Sequence, residues 1–417
     1  MNKKLQNHIY LIIFCALIGG FAGTVIWVFL KIMSVGMEFL WESLPEQMSS
    51  PLYPLAICTV GGAIAGIFRK KFGDYPEELH VVMGKVRQEK HYDYKKMPIF
   101  LCAALIPLLI ESSVGPEAGL VGIIVALCYW AGDNLKFAHE NTREYSEMGV
   151  AVTLSVLFHS PLFGIFAVEE DQENEEKVFQ MTKSSKIFVY GIALAAGAGC
   201  YKVLSNIFGA GLSGFPSFEA AEPVGKDFAM LIVYVVAGCI LAWFYEITHK
   251  GFHTLSEKIP AVVKEVIAGA CLGVAGMFLP ILMFSGEEEM GALMTEFVEY
   301  LPWMLIGIAF LKILLTNLCI QFGLKGGHFF PMIFSGVCMG YGMAMFVFGN
   351  SGEHVVFAAA IVTAAMLGGT MKKPIAVTML LFICFPVRMF VWIFLAAVLG
   401  SKCMSFITDK KELQGEA

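Results

Sequence analysis

Gly326-Gly327-His328-Phe329-Phe330-Pro331 is the stretch of this sequence whose residue types are best placed to do chemistry. It interrupts two long apolar runs, Met304 to Phe322 and Met332 to Phe348. In hydrocarbon, unwound backbone is tolerated only where it is buried in protein or lines a wet cavity. Pro331 suits the first turn of a new helix, because its missing N–H is one that turn could not use. The amides just before it are then expected to point, unpaired, at whatever occupies the break. A helix start also carries about half a positive charge from its aligned peptide dipoles. The chemistry this predicts is an anion site inside a membrane. A plain Gly/Pro kink between packed helices fits the same six residues.

The elements that must position such a break are membrane helices. The chain has 417 residues, 57% hydrophobic and only 15% charged, whereas soluble domains carry about a quarter charged residues. Apolar runs of 18 or more residues recur, each long enough to cross about 30 Å of hydrocarbon. We therefore expect an all-α polytopic membrane protein. Soluble catalysis is not expected: there is no nucleophile–base arrangement, phosphate loop or HExxH. The eleven Cys lie in or at the ends of apolar segments without a CxxC pair, so neither a metal site nor a disulfide framework is predicted. No cofactor and no nucleic-acid partner is expected. Surrounding lipid is.

Charge placement sets an expected orientation. Lys3 and Lys4 precede a first span at Ile9 to Leu30, read as retained rather than as a cleaved leader. The second span, Leu52 to Phe68, runs into Arg69, Lys70 and Lys71. The positive-inside rule then puts both termini on the cytoplasmic side. Further spans are expected at Ile187 to Ile207 and Phe228 to Phe244. Pro98 to Ile110, Pro161 to Val168 and Pro374 to Phe382 are too short to cross, and read as half-spans.

Three pairs of features share nearly one spacing. Pro116 and Pro331 differ by 215 (331 − 116), Pro161 and Pro374 by 213 (374 − 161), and Gly73 and Gly286 by 213 (286 − 73). The chain thus reads as two related repeats, 1–208 and 228–408, joined by an external linker 209–227 and followed by a short tail 409–417. An odd number of spans per repeat would invert one against the other. The breaks after Gly115 and Gly327 are expected to face each other across one anion-sized cavity.

These motifs resemble those of the CLC chloride channels and chloride/proton antiporters. Gly326 to Pro331 is similar to the family's G-x-F-x-P motif, and Val114-Gly115-Pro116 to the end of its G-[KR]-E-G-P motif. Phe158 to Ile165 is similar to its short helix with a small-Pro-Leu-x-Gly-Ile core, and Ser285-Gly286 falls on its Ser-Gly turn. The resemblance implies a CLC-like inverted repeat of broken and half-spanning helices. It also implies an anion pathway in each subunit, chloride as the default ion, and assembly as a homodimer. A divergent, prokaryotic-type member of the bacterial plasma membrane is expected, without cytoplasmic regulatory domains.

Departures from the family pattern shape the expected mechanism. The hydroxyl-bearing G-S-G-I-P motif corresponds to Phe72-Gly73-Asp74-Tyr75-Pro76, with Gly73 at the Ser position. The gating Glu falls on Val114, and the tail Ser401 to Asp409 offers no Tyr to close the inner side. Gly73, Tyr75, Val114, Gly115, Pro116, Gly327, His328, Phe329 and Phe330 form the candidate anion-binding set. For Phe329 the functional group is expected to be the amide, with the ring packing. Because Val114 cannot titrate, passive conduction is the leading reading.

Proton-coupled exchange of chloride or fluoride is the alternative, with a non-conducting sensor as a second. Glu117, one turn after Val114, is either a displaced gate or a carboxylate stabilising a helix start. Glu170 and Asp171 are either an inner proton-handling pair or part of a solvated acidic run. His328 is either a cation that attracts anions near neutrality or a packed neutral ring. Glu287-Glu288-Glu289 are expected at the outer surface or a vestibule rim.

Overall fold

The computed structural model describes residues 3–48, 50–77, 81–82, 84–85, 92–134, 142–169, 183–209, 216–218, 223, 225–349 and 352–415. Among these, seven helices are long and apolar enough to cross a membrane. The chain is a multi-pass integral membrane protein of helices, and it divides into two compact units.

The first unit comprises Met1–Leu44, Tyr75–Leu105 and Pro116–Gly214. Its long helix α1 (Lys3–Glu38) lies along α8 (Lys183–Phe208). The approach is close because small residues line it: a Cβ on Gly19 would meet the Ala193 carbonyl oxygen at 1.9 Å, and one on Gly23 that of Gly197 at 2.1 Å. Such seams suit membrane helices, where lipid is as apolar as Leu and backbone proximity drives packing. Only Leu44 of the short helix α2 (Leu44–Met48) belongs to this unit, and α5 (Glu117–Asn134), α6 (Thr142–Leu157) and α7 (Phe163–Glu169) complete it.

The second unit comprises Pro45–Asp74, Ile106–Gly115 and Phe215–Ala417. Its helices are α3 (Tyr53–Phe72), α9 (Gly225–Ser256), α10 (Val263–Phe278), α11 (Glu287–Glu296), α12 (Pro302–Gln321), α13 (Phe329–Phe348), α14 (Gly352–Met371), α15 (Pro374–Cys384) and α16 (Phe390–Gly415). Nearly every residue of α13 and α14 is buried, so these two form the centre. Ile232, Phe278 and Trp303 on other helices stay largely exposed, as lipid-facing side chains do.

Helix lengths follow the sequence punctuation. Helix α4 (Met97–Leu109), α7 and α15 have 13, 7 and 11 residues and are the three expected half-spans. Helix α12 ends where Gly323 turns the chain at φ +100°, a backbone region that glycine enters without a Cβ clash. Six residues later α13 begins, with Pro331 in its first turn.

Candidate functional site

The break between α12 and α13 is joined directly to the segment before α5. Gly115 N–H donates to the Gly327 carbonyl at 2.7 Å, and Gly327 N–H donates back to the Gly115 carbonyl at 2.7 Å. Both glycines are buried. Reciprocal bonding satisfies four backbone groups that would otherwise be costly away from water. This corrects the expectation that the amide of Gly327 points unpaired into the break: it is bonded to Gly115.

Gly326 has to be glycine for the same reason. A Cβ there would lie 2.4 Å from Val114 Cγ2 and 2.9 Å from the Gly115 carbonyl oxygen. Val114 is fully buried, with its N–H directed to the Ser112 carbonyl at 2.6 Å. Val114, Gly115, Gly326 and Gly327 therefore form one packed point, from which α13 begins at Phe329. The amides of Phe329 and Phe330 lie in the first turn of α13, at the positive end of its dipole. The rings of both are buried.

His328 caps α13, and its carbonyl accepts the Met332 N–H at 3.1 Å. Its ring centre lies 4.7 Å from that of Phe329 and 5.6 Å from that of Tyr245. Tyr245 is on α9, one turn before His249, which pairs with Gln321 Nε2 at 2.7 Å. Asn317 joins this polar seam by donating to Thr248 Oγ1 at 2.7 Å and to the Tyr245 carbonyl at 3.0 Å. Sequence reasoning singled out His328 and Phe329 and missed Tyr245, because it comes from α9, far earlier in the chain.

Gly73 ends α3 at φ +109° and lies in the same unit as the break. Next to it, Asp74 accepts from Lys325 Nζ at 2.8 Å and from Arg69. Burial pushes the Asp74 carboxyl up, but Lys325 and then Arg69 outweigh it and hold it below the usual carboxylate range.

Tyr75, Pro116 and Glu117 belong to the other unit. The Tyr75 ring packs 4.7 Å from Phe100, with Lys96 Nζ 5.8 Å from its centre. Glu117 is the first residue of α5 and only 4% exposed. Glu170 and Asp171 lie outside the described residues.

Lys312 is a further residue at this site that was not among the candidates drawn from the motifs. It is the single charge between Pro302 and Gln321, a signal that was legible in an intramembrane run. Fully buried, its ammonium donates to the carbonyls of Leu282 at 3.0 Å, Met283 at 2.8 Å and Phe284 at 2.8 Å. Phe334 places its ring centre 5.3 Å from the same nitrogen. The carboxylates of Glu289 and Glu111 also act on it.

This clamp reaches the break in two ways. Phe284 N–H donates to the Glu111 carbonyl at 2.8 Å, so the turn that Lys312 holds in turn holds Glu111. One helical turn beyond Lys312, Thr316 Oγ1 bonds Ser113 Oγ at 3.0 Å. Glu111 and Phe284 have φ +51° and +47°, conformations that cost a non-glycine residue about 1–3 kcal/mol unless the surroundings impose them.

Glu287, Glu288 and Glu289 form the first turn of α11, where the dipole favours carboxylates. Glu288 is exposed, as expected for a rim, but Glu287 is only 3% exposed. The rim assignment is corrected for that residue.

A fold of broken and half-spanning helices with a backbone junction at its break defines a class of membrane transport protein. Residues 61–405 match the family model described as voltage gated chloride channel, and the chain belongs to that family, the CLC family. Among curated relatives, YfeO of Escherichia fergusonii, named as a candidate ion-transport protein, is 23% identical over 384 residues, covering 88% of this chain and 85% of its own. YfeO of Escherichia coli O6:H1 is 24% identical with the same coverage. Among solved structures, a slow cyanobacterial Cl⁻/H⁺ antiporter aligns with a TM-score of 0.78 at 18% identity, over 95% of this chain and 94% of its own. A CLC-type fluoride/proton antiporter aligns with a TM-score of 0.72 at 18% identity, over 96% of each chain.

Proposed function

We propose that this protein is a passive anion channel of the CLC type, with chloride as its ion. The observation that carries the reading is Val114, fully buried against Gly326 at the position where the resemblance puts the gating Glu. A valine neither titrates nor swings aside as a charge, so proton uptake has no partner there. The anion is held by the first-turn amides of α13 at Phe329 and Phe330, with Gly73 and His328 along the path. The site's backbone scaffold is fixed by the Gly115–Gly327 pair. In this reading the repeats are 1–208 and 228–408, two copies form a homodimer, and both termini face the cytoplasm of a bacterial cell.

Glu117 favours a second reading, proton-coupled exchange. It is buried at the start of α5, and the two solved antiporters with this fold show that the architecture accommodates coupling in other chains. Purified protein in liposomes separates the readings. Under a chloride gradient, chloride flux without proton movement is expected, and Glu117→Gln should leave its pH dependence unchanged. Chloride-driven proton pumping that Glu117→Gln abolishes would overturn the channel in favour of the exchanger. Silence with fluoride, chloride, bromide and nitrate would favour a non-conducting sensor.

A further inference from the structure

Four charged side chains meet where α3 ends and the chain approaches the break. Arg69, in the last turn of α3, donates to both Glu265 and Asp74. Lys325, two residues before Gly327, bonds the second oxygen of Asp74 at 2.8 Å. Their formal charges cancel, but the two carboxylates are not equivalent.

Glu265 is fully buried, and its other oxygen accepts the Val262 N–H at 2.6 Å at the start of α10. Removing it from Arg69 would leave a buried charge without its counter-ion, which is strongly unfavourable. It is a fixed partner. Gly323 packs against this Arg69–Glu265 pair so closely that it leaves no room for a side chain.

Asp74 is different. Its side chain is 59% exposed, while the cations it bridges are 11% (Arg69) and 20% (Lys325) exposed. A carboxylate in water can leave and rehydrate, and exposed ion pairs are weak enough to exchange. If it leaves, Lys325 and half of Arg69 present two donors and one net positive charge, two residues from the glycine junction. In addition, Arg69 Nε is buried with no hydrogen-bond partner among the described residues. The cation pair is thus a site shaped for an anion, filled by one the chain itself supplies.

We propose that Asp74 is a tethered competing anion: it occupies the Arg69–Lys325 pair, and a small inorganic anion from solution displaces it to enter beside Gly327. The exchange is competition between anions and not protonation. Lys325 and Arg69 face the Asp74 carboxylate, with Glu265 behind Arg69. Against the opposing effect of burial, the two cations keep that carboxylate ionised well below neutral pH. The entry role rests on the anion-pathway reading, whereas the competition itself does not.

Calorimetric titration of sodium chloride into the purified full chain, in gluconate buffer, tests it. Asp74→Asn is expected to tighten chloride binding by roughly two- to five-fold, the worth of an exposed ion pair, and Lys325→Gln to weaken it. Asp74→Glu should follow the wild type. Equal affinity in Asp74→Asn and wild type would overturn the proposal. If Asp74→Asn does not yield folded protein, Lys325→Gln decides alone, and wild-type affinity in that variant overturns it. Liposome flux keeps the two readings apart. Flux with equal chloride affinities removes the competitor and leaves the channel, whereas tighter binding in Asp74→Asn without flux keeps the competitor and removes the channel.

Discussion

Gly115 and Gly327 bond each other, yet the segments leading to them are held by opposite means. The first, Glu111 to Val114, is fixed from inside: a fully buried ammonium bonds three neutral carbonyls, whose turn bonds Glu111 in its left-handed conformation. The second, Gly323 to Gly326, is fixed from the edge by ion pairs of which one partner is more than half exposed. A charge surrounded by carbonyl dipoles has nowhere to go, whereas a charge paired at a wet surface can exchange. The contrast assigns rigidity to one approach and adaptability to the other.

The sharpest way to break that contrast is Lys312→Met. It leaves the carbonyls of Leu282, Met283 and Phe284 buried without this donor, at about 1–3 kcal/mol for each that finds no other. The thermal midpoint in detergent should fall much further than for Asp74→Asn. Equal falls would mean that the interior clamp is no stiffer than the edge.

A smaller effect is expected from Gly326→Ala, which forces a methyl group onto Val114. Overpacking of this kind costs about 1–3 kcal/mol. Val114→Ala in the same chain should recover only part of the lost midpoint, because it removes Cγ2 at 2.4 Å and keeps Cβ at 2.7 Å. No recovery at all in the double variant would show that the Cγ2 contact does not set the spacing, leaving it to the Cβ of residue 114 and the Gly115 carbonyl.

The smallest effect concerns Asp74 and pH. Its carboxyl is held below the usual range, so its stabilising contribution is present above the unfolded value of about 3.9 and disappears as pH falls through the lower folded value. Being exposed, it contributes less than about 1 kcal/mol. Melting midpoints of wild type and Asp74→Asn should differ by a constant amount between about pH 5.5 and 8 and converge below about pH 4. A difference that changes near neutrality would place another titrating group in the cluster.

Much of the fold was legible because hydrocarbon imposes length. A run such as Pro302 to Gln321 can be little else than a crossing helix, and Pro98, Pro161 and Pro374 announced the short helices beside them. The break was legible through Gly326, Gly327 and Pro331, and its counterpart through a spacing shared by three pairs. What holds the site was not. The partners of Lys312 are backbone carbonyls about 30 residues upstream, and a carbonyl has no residue type to read. His328 was visible as a titratable group in a break, but Tyr245 looked like any aromatic residue in an apolar helix. Asp74 was noted only as part of a motif that had lost its serine, because an ion pair across 251 positions leaves no local pattern.

The reciprocal bond between Gly115 and Gly327 also has a consequence for how the chain is made. Gly115 enters the membrane 212 residues (327 − 115) before the glycine that completes it. Until that residue arrives, the Gly115 amide and carbonyl need a temporary partner, since bare peptide groups are not stable in hydrocarbon. The early break is therefore finished late in synthesis, and the last third of the protein acts on the first as the piece that lets it close.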